Sequence, residues 1–332
     1  MLKNSAKVIK YSLIFVGLVI FFIFVKTLKI EEVKLAISNI SYSSLLMVFL
    51  LSLVIIFIKA VRWKHLVKKI TGITISTNFA FGSVLAGLAA GTLTPGRGGE
   101  IAKPLIIKAT HGVPLSKSIS AVFIEKMLEL SATLLLAITS VILLGGTILG
   151  DYIGIYIFGA SILLFIILIV KYSLFMKKII LIIFHKVIFV TSIKDKAIKL
   201  TGVFFESLAI LKKKKVAFLF VGISLFSDIL EVFKLYYVFR ILGINVSFIQ
   251  VLFILEASIL FSLAMMIPGG IGVTEFAQVS IFSALGIAGV QLSKIAVLID
   301  RLFSYYLLII FGILVLIFHD VFYKKEIRGK VT

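Results

Sequence analysis

Residues 77–108 read TNFAFGSVLAGLAAGTLTPGRGGEIAKPLIIK, and residues 248–288 read FIQVLFILEASILFSLAMMIPGGIGVTEFAQVSIFSALGIA. Both segments are mostly apolar, and a Pro-Gly pair interrupts each, Pro95-Gly96 in the first and Pro268-Gly269 in the second. Proline and glycine do not readily continue a helix, and free backbone groups within a membrane need protein or water as partners. Each segment therefore predicts a re-entrant helical hairpin, with two ordinary kinked spans as the alternative.

Six longer apolar runs accompany these hairpins and predict full membrane crossings, because a hydrocarbon core of about 30 Å needs roughly 20 helical residues. The runs are residues 11–28, 42–61, 118–145, 152–170, 216–240 and 291–318. Charged residues make up only 15% of the chain and hydrophobic residues 61%, whereas a soluble domain has about 25% charged residues. The predicted fold class is an all-α polytopic membrane protein, with residues 1–332 as a single integral membrane domain.

Positive charge collects in the links on one side of this topology. Residues 1–10 carry three lysines, residues 62–71 carry four lysine or arginine residues, and residues 171–215 carry eleven lysines against two acids. Basic links remain in the cytoplasm. We therefore predict a multi-pass protein of the cell membrane with both termini in the cytoplasm. The basic linker at residues 171–215 predicts amphipathic helices on the membrane surface, or else a solvated loop.

Several function classes are excluded by composition and placement. The net charge of +20 does not indicate nucleic acid, since the basic residues lie between apolar runs. The chain has no cysteine, and its four histidines show no ligand spacing, so we predict no metal and no cofactor. No Ser-His-Asp set accompanies the membrane carboxylates, and we assign no catalytic residue.

The two halves of the chain share motifs in the same order and at nearly constant separation. The matched motifs are Gly72–Ser76 with Gly243–Ser247, Pro95-Gly96 with Pro268-Gly269, Glu100 with Glu275, Leu115–Lys117 with Leu292–Lys294, and Glu125-Lys126 with Asp300-Arg301. We predict an internal repeat, with copies at about residues 1–145 and 150–320. Three crossings and one hairpin in each copy would invert the second relative to the first. Inverted repeats are typical of transporters, whose binding sites lie where broken helices meet.

The first hairpin tip combines flexibility with positive charge. Gly96, Gly98 and Gly99 free the backbone to turn, and Arg97 and Lys103 offer cationic donors beside a helix N-terminus. A lipid phosphate would suit such a site. The alternative is that Arg97 and Glu100 pair only to stabilise the hairpin.

The second tip keeps Gly269, Gly270, Gly272 and the acid Glu275 but lacks the cations. Glu275 therefore needs a partner, which Arg301 of the last span could supply, and Glu125-Lys126 could do the same for the first tip. Ionisable groups inside membranes are costly, and they are functional candidates by default. The predicted substrate-binding residues are Arg97, Glu100, Lys103, Glu125, Glu275, Asp300 and Arg301, and the predicted gate residues are Pro95, Gly96, Gly98, Gly99, Pro268, Gly269, Gly270 and Gly272.

These motifs resemble the flippase-like membrane domain of lysylphosphatidylglycerol synthases over nearly the whole chain. Residues 95–100 are similar to that family's Pro-Gly-Arg-x-Gly-Glu, and residues 268–275 to its Pro-Gly-Gly-x-Gly-x-x-Glu. One motif departs from the pattern, since Glu125-Lys126 with Glu129 stands where the family has Glu-Arg-x-x-Asp. Lysine cannot make the bidentate contact of arginine. The resemblance implies movement of polar lipids between leaflets.

The sequence thus predicts a flippase or transporter whose partners are membrane lipids with anionic headgroups. It leaves open self-association and association with a lipid-modifying enzyme. The alternatives are a membrane enzyme, or an enzyme's membrane subunit, that acts on a lipid headgroup or a lipid-linked sugar, and a structural scaffold.

Overall fold

The fold is known from a computed structural model that describes residue 15 and residues 19–318, apart from residues 93, 145–148 and 188–190. Within these ranges the chain forms helices joined by short links, without a strand. Residues 19–26 are helical. The helices that follow are α1 Ile30–Ser38, α2 Tyr42–Thr71, α3 Thr77–Thr92, α4 Ala102–His111, α5 Leu115–Leu144, α6 Leu149–Lys171, α7 Ser173–Val187, α8 Thr191–Leu208, α9 Lys214–Ile241, α10 Phe248–Ala264, α11 Val273–Ala284, α12 Val290–Arg301 and α13 Leu307–Ile317.

Four helical segments of the described chain are long and apolar enough to cross a membrane. They are α2, α5, α9 and the segment Val290–Ile317, in which a π-helical turn at Leu302–Tyr306 joins α12 to α13. These segments confirm the predicted spans 42–61, 118–145, 216–240 and 291–318. The chain is therefore an all-α polytopic membrane protein, as predicted.

The two other predicted spans have different outcomes. Residues 152–170 lie within α6, and the chain bends by 97° between Gly159–Lys171 and Ser173–Lys186. These two helical pieces form a fifth candidate span only if they are counted together as a single broken helix. The predicted span 11–28 lies partly outside the described residues.

Both predicted hairpins are helix pairs that break at their Pro-Gly sequences. A 3-10 turn at Pro95–Ile101 separates α3 from α4, and a 3-10 turn at Pro268–Gly270 lies between α10 and α11. The longest of these four helices has 17 residues, so it extends about 26 Å, which is less than the hydrocarbon thickness of about 30 Å. In each pair the two helices pack against each other. This geometry supports the hairpin interpretation over two kinked spans.

The two tips meet inside the protein. The turn Pro95–Ile101 contacts the turn Pro268–Gly270, and α3 packs against the first tip, α2 and α13. α3 is rich in glycine and alanine, and most of its residues are buried. Small residues let helices approach closely where the hydrophobic effect gives little drive for association. The tips are thus held by packed helices on both sides.

Two basic segments differ in their structure. The linker at residues 171–215 contains α7 and α8, and α8 packs against α5 and α7, so its prediction as helices is confirmed. The basic link predicted at residues 62–71 is instead the last part of α2, which continues to Thr71, and in it Arg62 is completely buried while Lys68 and Lys69 are exposed. Glu125 and Glu129 of α5 pair with this arginine.

The first matched motif has the same local structure in both halves. Gly72 and Gly243 have positive φ angles of 78° and 71°. The Ser76 hydroxyl accepts a hydrogen bond from the Phe79 amide, and the Ser247 hydroxyl accepts one from the Gln250 amide. Each serine therefore caps the helix that follows. These equivalences support the predicted duplication, and the inverted orientation of the copies remains a prediction.

Candidate functional site

A cavity of about 430 Å³ lies between the two halves of the protein. The cavity is lined by helices α2, α3, α5, α9, α10, α11, α12 and α13, by the π-helical turn Leu302–Tyr306 and by Gly270 of the second tip. Its charged lining residues are Lys59, Lys126, Lys234, Arg301, Glu129, Asp228, Glu231 and Asp300. Ligand pockets commonly have volumes of about 300–1,000 Å³. This central cavity is thus large enough for a polar headgroup.

Arg62 is the centre of an ion-pair network in the first half. Its Nη2 donates to Glu125 Oε1 at 3.3 Å and also to Glu129, and its Nη1 donates to Ser224 Oγ at 2.7 Å. These contacts join α2 to α5 and α9. Arginine suits this position because its planar guanidinium offers several fixed donors.

The first tip joins the same network through lysines. Lys103 Nζ lies 2.5 Å from Glu125 Oε2 and 3.1 Å from Glu100 Oε2. It also lies 4.7 Å from the centre of the Trp63 ring. Lys126 Nζ lies 2.5 Å from Glu100 Oε1 and 2.6 Å from Glu129 Oε2. The expectation that the Glu125-Lys126 motif would supply the first tip's partner is confirmed.

A second network organises the second tip around Glu275, which is completely buried. Arg301 Nε lies 3.2 Å from Glu275 Oε1, and Tyr306 Oη donates to the same oxygen at 2.8 Å. Tyr305 Oη donates to the carbonyl oxygen of Gly269 at 2.6 Å. The expected pairing of Glu275 with Arg301 is therefore confirmed, and the tyrosines fix the tip to the last span.

The two networks correspond across the matched motifs. Arg62 pairs with Glu125 in the first half, and Lys234 Nζ pairs with Asp300 Oδ1 at 3.1 Å in the second. In the same way the pair Lys126–Glu100 corresponds to Arg301–Glu275. Arg62 and Lys234 are separated by 172 positions. The separation is 175 for each of the pairs Glu100 and Glu275, Glu125 and Asp300, and Lys126 and Arg301. This correspondence of contacts further supports the duplication.

Most of the charge in the cavity wall is paired across helices. Lys59 Nζ lies 2.5 Å from Glu231 Oε1, between α2 and α9. Asp228 is different, because its Oδ2 is buried without a hydrogen-bond partner in the described part of the protein. Glu256 of α10 lies behind this part of the wall and is 1% exposed.

A smaller, mostly apolar groove of about 150 Å³ lies beside the first tip. It is lined by Gly98, Glu100, Ile101, Pro104, Ile119, Val122, Phe123 and Lys126. Phe123 and Lys126 line both the groove and the central cavity. The groove and the cavity are therefore neighbours that share one wall of α5.

The predicted substrate-binding residues occupy three environments. Asp300 and Arg301 line the central cavity, and Glu100 lines the groove. Lys103, Glu125 and Glu275 lie in the buried ion pairs described above, and they line neither space. The side chain of Arg97 lies outside the described residues. The roles assigned to these residues remain predictions.

The predicted gate residues lie in the two tips or directly beside them. Pro268, Gly269 and Gly270 are buried, and Gly272 begins α11 with a φ of 81°. Gly98 lines the groove, and Gly99 is buried against α3, where a Cβ would lie 1.9 Å from the Ala90 carbonyl oxygen. Pro95 and Gly96 form the start of the first turn. Their role in gating remains a prediction.

Four residues of the networks were missed from the sequence: Lys59, Arg62, Tyr305 and Tyr306. Arg62 follows a predicted span directly, and at such a boundary a basic residue resembles an anchor at the membrane surface. A signal was available, because Arg62 and Lys234 lie at almost the same separation as the matched motifs. The tyrosines had no comparable signal in an aromatic-rich membrane protein.

Comparisons with known proteins match this architecture to one family. Residues 9–312 match the model of the lysylphosphatidylglycerol synthase TM region. A UPF0104 membrane protein of Pyrococcus horikoshii is 30% identical over 92% of this chain and 96% of its own length. A UPF0104 membrane protein of Methanothermobacter thermautotrophicus is 21% identical over 81% of this chain and 83% of its own length. The chain therefore belongs to the family of the lysylphosphatidylglycerol synthase transmembrane region.

Proposed function

We propose that this protein moves a polar lipid with an anionic headgroup, a phospholipid or a polyprenyl-phosphate-linked lipid, between the leaflets of the membrane. The headgroup binds in the central cavity. The observation that carries the proposal is a charged cavity of about 430 Å³ enclosed by membrane helices and bordered by a broken-helix tip. Charged groups at such depth are costly and are kept for a function.

Arg301 is the central headgroup ligand in this proposal. It lines the cavity, and among the described residues its ion pair is with Glu275 through Nε, while the guanidinium lies over the Tyr305 ring at 4.9 Å. A guanidinium has five N–H donors in a planar fork. Donors therefore remain for a phosphate, which arginine can bind through two parallel hydrogen bonds.

The groove provides a place for the lipid chain. Ile101, Pro104 and Val122 give it an apolar wall next to Lys126, whose ammonium also borders the cavity. A lipid can thus place its headgroup among charges while its chain stays in apolar surroundings. The two tips, Pro95–Ile101 and Pro268–Gly270, would act as the gates, because broken helices that meet at a site are the moving parts of many transporters.

The test is movement of fluorescent phosphatidylglycerol in liposomes that contain the purified protein, followed by quenching of the outer leaflet. We expect Arg301→Gln to slow movement at least tenfold, because a hydrogen bond to a charged group contributes about 1.5–3 kcal/mol and about 1.4 kcal/mol corresponds to tenfold. Arg240→Gln is the matched control, since Arg240 is exposed on α9. The double variant Arg301→Gln, Glu275→Gln avoids leaving Glu275 unpaired and separates folding from binding.

Two results would contradict the proposal. One is equal movement by wild type and Arg301→Gln. The other is wild-type movement no faster than in empty liposomes, for both phosphatidylglycerol and a labelled polyprenyl phosphate. A new lipid species in chromatograms of the same liposomes would instead indicate an enzyme.

A further inference from the structure

Glu256 is a carboxylate buried within the second hairpin. It lies on α10 between Leu255 and Ala257 and is 1% exposed. Neither carboxylate oxygen has a hydrogen bond of normal geometry to the residues that the structure describes, and the Thr133 hydroxyl is the one polar side chain that interacts with it as a donor. A buried ionised carboxylate is stable only when it is paired or well hydrogen-bonded. The geometry therefore disfavours a bare negative charge at this position.

The side chains around Glu256 do not neutralise it. The ionisable ones are Asp228 and Glu231 on α9 and Lys59 on α2, and Thr133 on α5 offers only a hydroxyl. Lys59 is held by Glu231 at 2.5 Å. The cations that face the cavity from α5 and α12, Lys126 and Arg301, are engaged by Glu129 and Glu275. Glu256 thus shares its surroundings with a second acid, Asp228, whose Oδ2 also lacks a partner in the described structure, instead of with a free cation.

A metal ion does not fit this position. The described residues contain no group of three or more His, Asp or Glu side chains that could hold one. A proton needs no such ligand set, and it removes the charge from the carboxylate directly.

We propose that Glu256 is a proton-binding site and that its proton exchanges with the central cavity through Asp228. Asp228 suits this role because it lines the cavity and its Oδ2 has no partner in the described structure. The site goes beyond the lipid-moving function and does not depend on which ligand the cavity accepts. It gives the cavity wall an exchangeable proton close to the pair Lys59–Glu231.

The test is infrared difference spectroscopy of the full-length protein in detergent, which detects the C=O stretch of a protonated carboxylic acid. In the wild type we expect this band at neutral pH, with a downward shift after transfer to D₂O because the proton exchanges. Glu256→Gln should remove the band, whereas Glu206→Gln should keep it, since Glu206 is an exposed acid of α8. Glu256→Asp should retain a band at a changed frequency, which identifies the site even if the glutamine variant folds poorly.

Asp228→Asn tests the route. We expect it to keep the Glu256 band but to slow the shift in D₂O several-fold. A band that persists in full in Glu256→Gln, or that never shifts in D₂O, would overturn the site, and an unchanged exchange rate in Asp228→Asn would overturn the route. No lipid ligand is needed, so these outcomes are separate from those of the liposome experiment.

Discussion

Replacing Arg62 with methionine is expected to prevent most of the protein from accumulating in folded form. Arg62 is completely buried and pairs with Glu125 and Glu129, while it donates to Ser224. Methionine would remove the one cation that the two carboxylates share, so that Glu125 keeps only Lys103 and Glu129 keeps only Lys126 among the ion pairs of the described residues. Removal of one partner from a buried ion pair costs about 3–5 kcal/mol, which is a large part of the total stability of a typical protein of about 5–15 kcal/mol.

Fluorescence provides the measurement, because Trp63 is the chain's single tryptophan and is buried beside Arg62. Thermal unfolding in detergent, followed through this residue, should show a much lower midpoint for Arg62→Met. Lys68→Met is the matched control, since Lys68 is exposed on the same helix. Adding Glu125→Gln and Glu129→Gln to Arg62→Met should recover part of the loss. Wild-type stability of Arg62→Met alone would show that the network contributes little.

The second large effect is expected at the contact between the tips, where Gly269→Ala should lower both stability and lipid movement. Gly269 has a φ of 65°, and a Cβ there would lie 2.4 Å from Tyr305 Oη and 3.2 Å from the Cα of Thr92. A left-handed backbone costs a residue with a Cβ about 1–2 kcal/mol, and overpacking adds about 1–3 kcal/mol. The methyl group would also push the second tip away from α3.

Gly286→Ala separates the cost of the left-handed backbone from the cost of close packing. Gly286 also has a positive φ, 62°, but nothing lies within 4 Å of its Cβ position. It should therefore show only the backbone effect, and its lipid movement should remain close to that of the wild type. The two variants can be compared by thermal unfolding and by the liposome assay. Equal losses at both positions would mean that close packing between the tips is unimportant.

The predictable parts of the fold are those that the apolar interior of the membrane and the chemistry of Pro-Gly pairs require of the sequence. The runs at residues 42–61, 118–145, 216–240 and 291–318 are long and apolar, and each lies in a helix long enough to span. Pro95-Gly96 and Pro268-Gly269 break their helices where expected. The bend after Lys171 lies at the predicted boundary between the apolar run 152–170 and the basic linker 171–215, although neither proline nor glycine marks the position.

The candidate site was predictable only where charges follow a recognisable motif. Arg301 was assigned to Glu275 from the matched motifs, and the structure confirms this pair. The position of Arg62 was hidden, because a basic residue at the end of an apolar run is as easily a surface anchor as a buried ion. Whether such a residue is buried depends on which helices pack around it, here α5 and α9, and this is a tertiary property.

The π-helical turn at Leu302–Tyr306 determines how the last span is aligned. Such a turn contains one residue more than the α-helix around it, and one residue corresponds to a rotation of about 100°. If this turn became α-helical without losing a residue, α13 would rotate by that angle relative to Asp300 and Arg301, and the hydroxyls of Tyr305 and Tyr306 would no longer face Gly269 and Glu275. In an alignment of relatives, a gap of one residue at this turn would therefore mark proteins that keep the alignment of the last span with a regular helix.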